Sequence, residues 1–409
     1  MTNFNIVKKP DKKDKVEVEI DEDDEIEEVE VNVKEHSDND DVKKKMIRFM
    51  LIVVCAIIVI LLILYLVSLT SKKTYEYKDL EQVLTDAAKS YFVDYPENLP
   101  ASDGDIVEID SSNLVAAGKM QDLSTYKTKD GAACSGTVQV TKAGSEYLYT
   151  PYLNCGDNYS TVELYKKIIS DENIVTDGYG LYSSNGSYVF RGEIVNNYLM
   201  LDNGMWRIVK VTPDNNVVLI SDMGSLYAKS WDNRYNQDRL YDAGINQYSA
   251  SRVKEFLDKI YTNPNEADGE NLLSDKDKTK LIAYNLCVGK RAENSESRDN
   301  SLECATTFDS QKMGLLTLSD YLMASVDPNC KSAMTKSCKN YNYLSSKFEW
   351  WLLTANSEDS STVFRVGSNG IVALENASAS CIVRPVIYLN NSVLYKSGSG
   401  TEEDPYLIR

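Results

Sequence analysis

Apolar residues are spread unevenly along this chain, and their spacing divides it into segments. Residues 1–45 are rich in Asp, Glu and Lys, with single Val and Ile residues between them. Residues 49–69, FMLIVVCAIIVILLILYLVSL, then form an uncharged run without Gly or Pro. A helix rises 1.5 Å per residue, so about 20 residues span a hydrocarbon core of about 30 Å. The run has that length, and a transmembrane helix is expected over 46–70. Lys43, Lys44, Lys45 and Arg48 precede it, and Lys72 and Lys73 follow. That bias places the N-terminal side in the cytoplasm. A long polar segment precedes the run and no small-residue cleavage motif follows it. An uncleaved signal-anchor is therefore expected, with the C-terminal region outside the cell membrane.

Within the tail, residues 16–33 read VEVEIDEDDEIEEVEVNV. Apolar and acidic positions alternate there with the period of a strand. High charge and the lack of an aromatic ring in 16–33 argue against a core, so 1–45 is expected to be a disordered, acidic cytoplasmic tail. Its alternation also suits strand addition to a basic cytoplasmic partner.

Beyond the membrane the period changes twice. Leu80, Val83, Leu84, Ala87, Ala88 and Tyr91 recur at helical spacing. This helix is expected to continue the membrane helix outward and to end at Pro96 and Pro100. Strand-like runs follow at 105–109, 136–141 and 147–153. Cys134 and Cys155 bracket the last two, which suits a stapled hairpin. Residues 161–185 read as a connector with one short helix at 162–169. From 186 to 409 a compact domain is expected. Its strands fall at 198–201, 206–211 and 217–221, and again at 350–354, 363–366, 371–374 and 382–389. Between the two sets lie amphipathic helices marked by Val253, Phe256, Leu257 and Ile260, and by Leu318, Tyr321 and Leu322. Thr317 and Asp320 stand in a capping-box relation. The fold class is α+β, with domains at 71–160 and 186–409.

Charge narrows the partners. Formal net charge is −18, of which −7 lies in residues 1–45. Nucleic acid is disfavoured, because phosphate binding needs clustered Lys and Arg. Cys55 falls within the membrane run, and the other seven cysteines lie beyond it on the oxidising side. Nearest-neighbour pairing gives Cys134–Cys155, Cys287–Cys304 and Cys330–Cys338, although other connectivities remain open. Cys381 is left over in the apolar stretch SCIVRPVIYL, where an inert buried thiol is expected. No C-x-x-C occurs, which weakens zinc and thioredoxin-like readings.

The only histidine is His36, in the tail. The external region therefore has neither Ser-His-Asp nor Cys-His catalysis and no His-ligated zinc. Ser251-Arg-Val-Lys254 matches S-x-x-K, and Lys396-Ser-Gly398 matches K-[ST]-G. The S-x-N element between them is missing, and Ser251 stands where a helix N-cap belongs. Trp350 and Trp351 are adjacent, so in a strand they face opposite sides. One is expected in the core, and the other is a candidate stacking surface for a ligand. Arg384 lies in an apolar strand, where a buried guanidinium needs a partner. An ion pair is expected there, and Arg384 joins the tryptophans as a candidate ligand residue.

Two resemblances add to this reading. A long apolar helix leading into LVAAGKMQDL, CSGTVQV and YLYTPYLNC is similar to the pilin and pseudopilin layout of Gram-positive surface proteins. No Gly-Phe site precedes the run and no Glu lies early in it, so processing as a pilin is not implied. The ordering NNYLMLDNGMWRIVKV, EWWLLTANSEDSSTVFRVGSNGIVAL and VRPVIYL resembles a bacterial surface domain of C-type-lectin-like and formylglycine-generating (sulfatase-modifying) pattern, over about 190–395. Trp350, Trp351, Arg384 and Pro385 carry that resemblance. The closing GSGTEEDPYLI also resembles tails of Gram-positive surface proteins. The lectin pattern implies calcium held by E-P-N-like and W-N-D-like motifs. Asp327-Pro-Asn329 and Trp231-Asp-Asn233 look similar, but both precede Trp350 and so stand in the wrong order. Calcium is thus compatible with the resemblance but unsupported by motif position, and no cofactor is expected. The formylglycine-generating pattern needs two late cysteines, and only Cys381 is late.

These readings converge on a non-enzymatic, single-pass, cell-surface recognition protein for an external glycan or surface protein. The alternative is a structural component of a pilus-like or secretion-like envelope assembly.

Overall fold

The computed structural model describes residues 39–70, 74–170, 174–222, 228–239, 242–264 and 272–409. The chain divides into two compact units, 1–73 and 74–409. The acidic stretch 16–33 lies outside the described residues.

In the first unit one helix runs from Asn39 to Thr70. It starts ahead of the expected boundary, so the end of the expected tail is helical. Its segment Lys43–Leu62 has a mean hydropathy of 2.7 and no buried residues. It is the one helix among the described residues long and apolar enough to cross a membrane.

The second unit holds two hydrophobic cores. The smaller is built by helix Tyr77–Asp94 on an antiparallel sheet of Ile106–Asp110, Ser135–Ala143 and Glu146–Asn154, in that order. Leu80, Leu84, Ala88 and Phe92 from the helix meet Ile109, Val138, Val140 and Leu153 from the sheet. The helix does not continue the membrane helix, as had been expected. Residues Thr74–Tyr75 first pair as a short parallel strand with Lys127–Thr128. The helix then starts afresh where the Glu76 N–H donates to the Asp79 carboxylate at 3.2 Å. Gly144, at φ +62°, makes the tight hairpin turn between the two long strands. Cys134–Cys155 closes the open end of that hairpin.

The larger core lies between an eight-stranded and a five-stranded sheet. The main path of the first runs Val386–Leu389, Val217–Ser221, Gly204–Val211, Tyr198–Leu201, Tyr406–Ile408 and Tyr395–Ser397. The second runs Ala228–Ser230, Ser380–Ile382, Trp350–Ala355, Thr362–Val366 and Val372–Asn376. Helix Arg252–Thr262 buries Val253, Phe256, Leu257 and Ile260. Helix Leu318–Ala324 carries the Thr317/Asp320 capping box. Cys287–Cys304 and Cys330–Cys338 are bonded, which completes the nearest-neighbour pattern.

Two expectations change here. The segment 161–185 is not a free connector. Leu164 and Ile168 enter the larger core, and Gly180–Ser184 pairs with Ser187–Arg191 as a hairpin. The expected strand 382–389 is two strands in different sheets. Pro385 lacks an N–H, so the ladder breaks there and the chain crosses from one sheet to the other.

A polar joint ties the two cores. Buried Glu81 accepts from Thr161 Oγ1 at 2.5 Å, Tyr159 Oη at 2.8 Å and Arg409 at 2.5 Å. A helix of the smaller core is thereby tied to the residue following strand Tyr406–Ile408 of the larger one.

Candidate functional site

The expected ligand residues are interior. Trp350 and Trp351 are both fully buried, and Arg384 is 4 % exposed. Alternation does send the two rings to opposite faces, but both faces of strand Trp350–Ala355 are covered. Trp351 Nε1 donates to the Lys229 carbonyl at 2.8 Å. Trp350 meets the edge of Tyr321, and the Arg384 guanidinium lies 4.9 Å from its ring centre. Arg384 has no carboxylate partner among the described residues. It donates from Nε and a terminal nitrogen to the Ser221 carbonyl, at 3.2 and 3.1 Å. Burial pushes its guanidinium down to about 10. The expected ion pair is replaced by a carbonyl and an aromatic face.

Other motifs resolve into local structure. Ser251 Oγ accepts from the Lys254 N–H at 3.2 Å, an N-cap, and donates to the Tyr248 carbonyl. The Lys254 ammonium pairs with Asp258 at 2.6 Å. Asp327 accepts from the Asn329 N–H and from Asn340, each at 2.8 Å. Asp232 accepts from the N–H and Nε of Arg234, both at 2.7 Å. Both lectin-like triplets are thus occupied as turns.

Cys381 is 3 % exposed, and burial pushes its thiol up to about 12. At pH 8 almost none of it is the nucleophilic thiolate. Iodoacetamide at that pH is expected to leave the Cys381 peptide unmodified in the native protein and to label it after denaturation, as read by mass spectrometry. Native labelling at the rate of a free thiol would contradict this burial.

The surface offers a different site. Hairpin Gly180–Ser184/Ser187–Arg191 turns at Asn185-Gly186, whose φ values are +49° and +78°. Two positive φ angles form the hairpin turn that Asn-Gly favours. Strand Ser187–Arg191 pairs with Gly204–Val211, bringing Val189 opposite Lys210. The loop 295–301 and the end of helix Leu318–Ala324 stand across from the hairpin. Between them is a cavity of about 250 Å³, lined by Ser184, Asn185, Ser187, Lys210, Asn300 and Ser301 among others. A second, of about 220 Å³, adds Arg191 and Arg298. The two share Ser184, Val189, Asp299 and Met323, so they form one cleft.

Its charges are unevenly paired. The Lys210 ammonium lies 2.6 Å from Asp320 Oδ1. Burial opposes the charge of Lys210, but Asp320, together with Tyr388 and Glu303, outweighs it and holds the ammonium above its ordinary value. Arg191 and Arg298 have no such carboxylate. Both donate to the Ser325 carbonyl, at 3.0 and 2.9 Å, and Arg298 also to the Leu322 carbonyl at 2.6 Å. Arg191 Nε is buried without a hydrogen-bond partner. Tyr182 covers the Arg191 guanidinium at 4.6 Å. Burial lowers the affinity of Arg191 for its proton. Burial and then the Arg191 charge push Arg298 down to about 10.

No protein-family model matches this chain, and no curated protein or solved structure matches it.

Sequence reasoning missed this cleft. The Asn185-Gly186 pair between LYSS and SYVF was the available signal for the hairpin. Nothing local links Arg191 with Arg298, which only the tertiary fold brings to one carbonyl. The loop carrying Arg298 hangs from a buried pair. Arg291 donates to Glu303 Oε1 at 3.2 Å, to Ser295 Oγ at 2.9 Å and to the Ser297 carbonyl. Arg291 and Glu303 are positioning residues for the cleft wall.

Proposed function

We propose that this chain is a single-pass, membrane-anchored cell-surface protein that recognises an external ligand without catalysis. Its binding site is the cleft beside the 180–191 hairpin. The acidic segment 1–45 is cytoplasmic in this reading and available to a cytoplasmic partner. Residues 71–160 form a pilin-head-like module and the region from about 186 a C-type-lectin-like one. The observation that carries the proposal is the cleft itself. It is concave, it is walled by the eight-stranded sheet, the loop 295–301 and the end of helix Leu318–Ala324, and it is lined by hydroxyl, amide and guanidinium groups beside the apolar Val189 and Met323. Such a mixture suits binding and orienting a polar ligand. The exposed apolar helix and the three disulfides support an anchored, external setting.

The test uses the full chain in lipid nanodiscs on an array of neutral and charged glycans and purified envelope proteins. Binding of at least one class is expected, and Ser187→Trp, which fills the cleft, should weaken it tenfold or more. Absence of binding to every member, with crosslinked ladders of the full chain in membranes, would overturn this reading in favour of a structural assembly.

A further inference from the structure

We propose that the cleft binds an oxyanion, phosphate or carboxylate, carried on a hydroxyl-rich glycan chain. This rests on the recognition reading and names its ligand class. Two guanidiniums converge on one carbonyl at the cleft wall. That carbonyl, even with the Leu322 carbonyl, accepts only a few of their donors. Each guanidinium presents five N–H groups in a planar fork that fits a two-oxygen acceptor. Arg191 Nε is buried and unpaired, which a residue placed only for packing would avoid.

The like charges of Arg191 and Arg298 oppose each other. A protein with net charge −18 nevertheless places them together without a carboxylate within salt-bridge distance of either, among the described residues. Helix Leu318–Ala324 ends at their shared carbonyl, but its three capping bonds engage only one terminal nitrogen of each arginine.

The negative groups nearby are already engaged. Asp320 is taken by Lys210 and by Thr317. Asp299 Oδ1 accepts from Ser297 Oγ at 2.8 Å, from the Ser301 N–H at 3.0 Å and from Ser301 Oγ. Hydrogen bonds from Ser301 and then Ser297 hold its carboxyl below the usual range. With Lys210 paired to Asp320, Arg191 and Arg298 stand beside one lining carboxylate, Asp299, while Asp327 acts on Arg298 from outside the lining. Ser184, Asn185, Ser187 and Asn300 surround the cations with neutral donors and acceptors. That lining matches sugar or polyol hydroxyls flanking the anionic group.

The proposal is tested by titrating full-length protein in nanodiscs with four probes: a glycerol-phosphate oligomer, a uronic-acid oligosaccharide, a neutral oligosaccharide of the same length, and inorganic phosphate. At least one of the two polymers is expected to bind, at least tenfold tighter than the neutral one and more weakly as salt rises. Which of the two binds identifies phosphate or carboxylate. Arg298→Gln should weaken binding tenfold or more. That variant also loosens the helix end, so Ser187→Glu is the second one. It leaves both arginines and their carbonyl bonds in place and sets a negative charge in the cleft. It should weaken binding equally, with the unfolding midpoint unchanged. Arg252→Gln, an exposed arginine paired with Glu255, should have no effect. Equal binding of the neutral oligosaccharide, unchanged binding by Ser187→Glu, or failure of both anionic polymers would overturn the proposal. Neutral-glycan binding that Ser187→Trp blocks would leave the recognition reading standing while removing this one.

Discussion

Glu303→Ala is expected to lower the stability of the folded external region by about 3–5 kcal/mol, the cost of leaving a buried charge without its partner. The Glu303 and Arg291 side chains are both fully buried. Glu303 Oε1 also accepts from the Ser319 N–H at 3.2 Å and from Ser319 Oγ at 3.0 Å. Its removal strands the Arg291 guanidinium inside the core and leaves the Ser319 N–H short of an acceptor. Arg291 also holds the Ser295 hydroxyl and the Ser297 carbonyl, so the loop 295–301 should loosen with it. Glu303→Gln keeps an acceptor but removes the charge, and should fall between wild type and alanine. Urea unfolding followed by tryptophan fluorescence, with disulfides intact, gives the difference. Limited proteolysis within 295–301 should rise in parallel. A loss below about 1 kcal/mol for the alanine variant would mean that the pair holds the loop little better than a surface ion pair.

That network also marks where the sequence stops being readable. The period of Leu80, Leu84, Ala87 and Ala88 is local, and so is the alternation of Val138 and Val140. Elements of this kind follow from spacing alone. The cysteine pairs were legible for the same reason, since each closes a short loop. Arg291, Glu303, Ser319 and Thr354 come from four segments, and nothing in any one of them announces a shared interior. Arg191 and Arg298 are equally separate. The hairpin that carries Arg191 was passed over because its strands, Gly180–Ser184 and Ser187–Arg191, hold few strongly apolar residues. Its Asn185-Gly186 turn was the stronger signal. Pro385 likewise marked a break that the apolar run around it concealed.

The tryptophans show a subtler limit. Strand alternation correctly sends Trp350 and Trp351 to opposite faces, but it carries no information on what covers the second face. Here every residue of strand Trp350–Ala355 is buried. An interior strand of this kind has no solvent side on which a ring could receive a ligand.

Trp351→Ala is therefore expected to act on folding and not on recognition. Truncating a fully buried Trp to Ala costs about 3–5 kcal/mol, from lost transfer energy and from the cavity left behind. At this site the hydrogen bond from Nε1 to the Lys229 carbonyl goes too, and strand Ala228–Ser230 loses an anchor. Trp351→Phe retains much of the volume without the bond, and should cost clearly less. Trp350→Ala should be comparable in size, because it uncovers the Arg384 guanidinium and removes the ring beside Tyr321. Against a total stability of about 5–15 kcal/mol, either alanine variant sits near the threshold for folding. The measurement pairs an unfolding curve with ligand affinity taken at a temperature where the variant is still folded. Affinity per folded molecule should match wild type, while the urea midpoint falls sharply. A variant that keeps its midpoint but loses binding would place the ring at the ligand, and would require the strand to open a face that is covered in this structure.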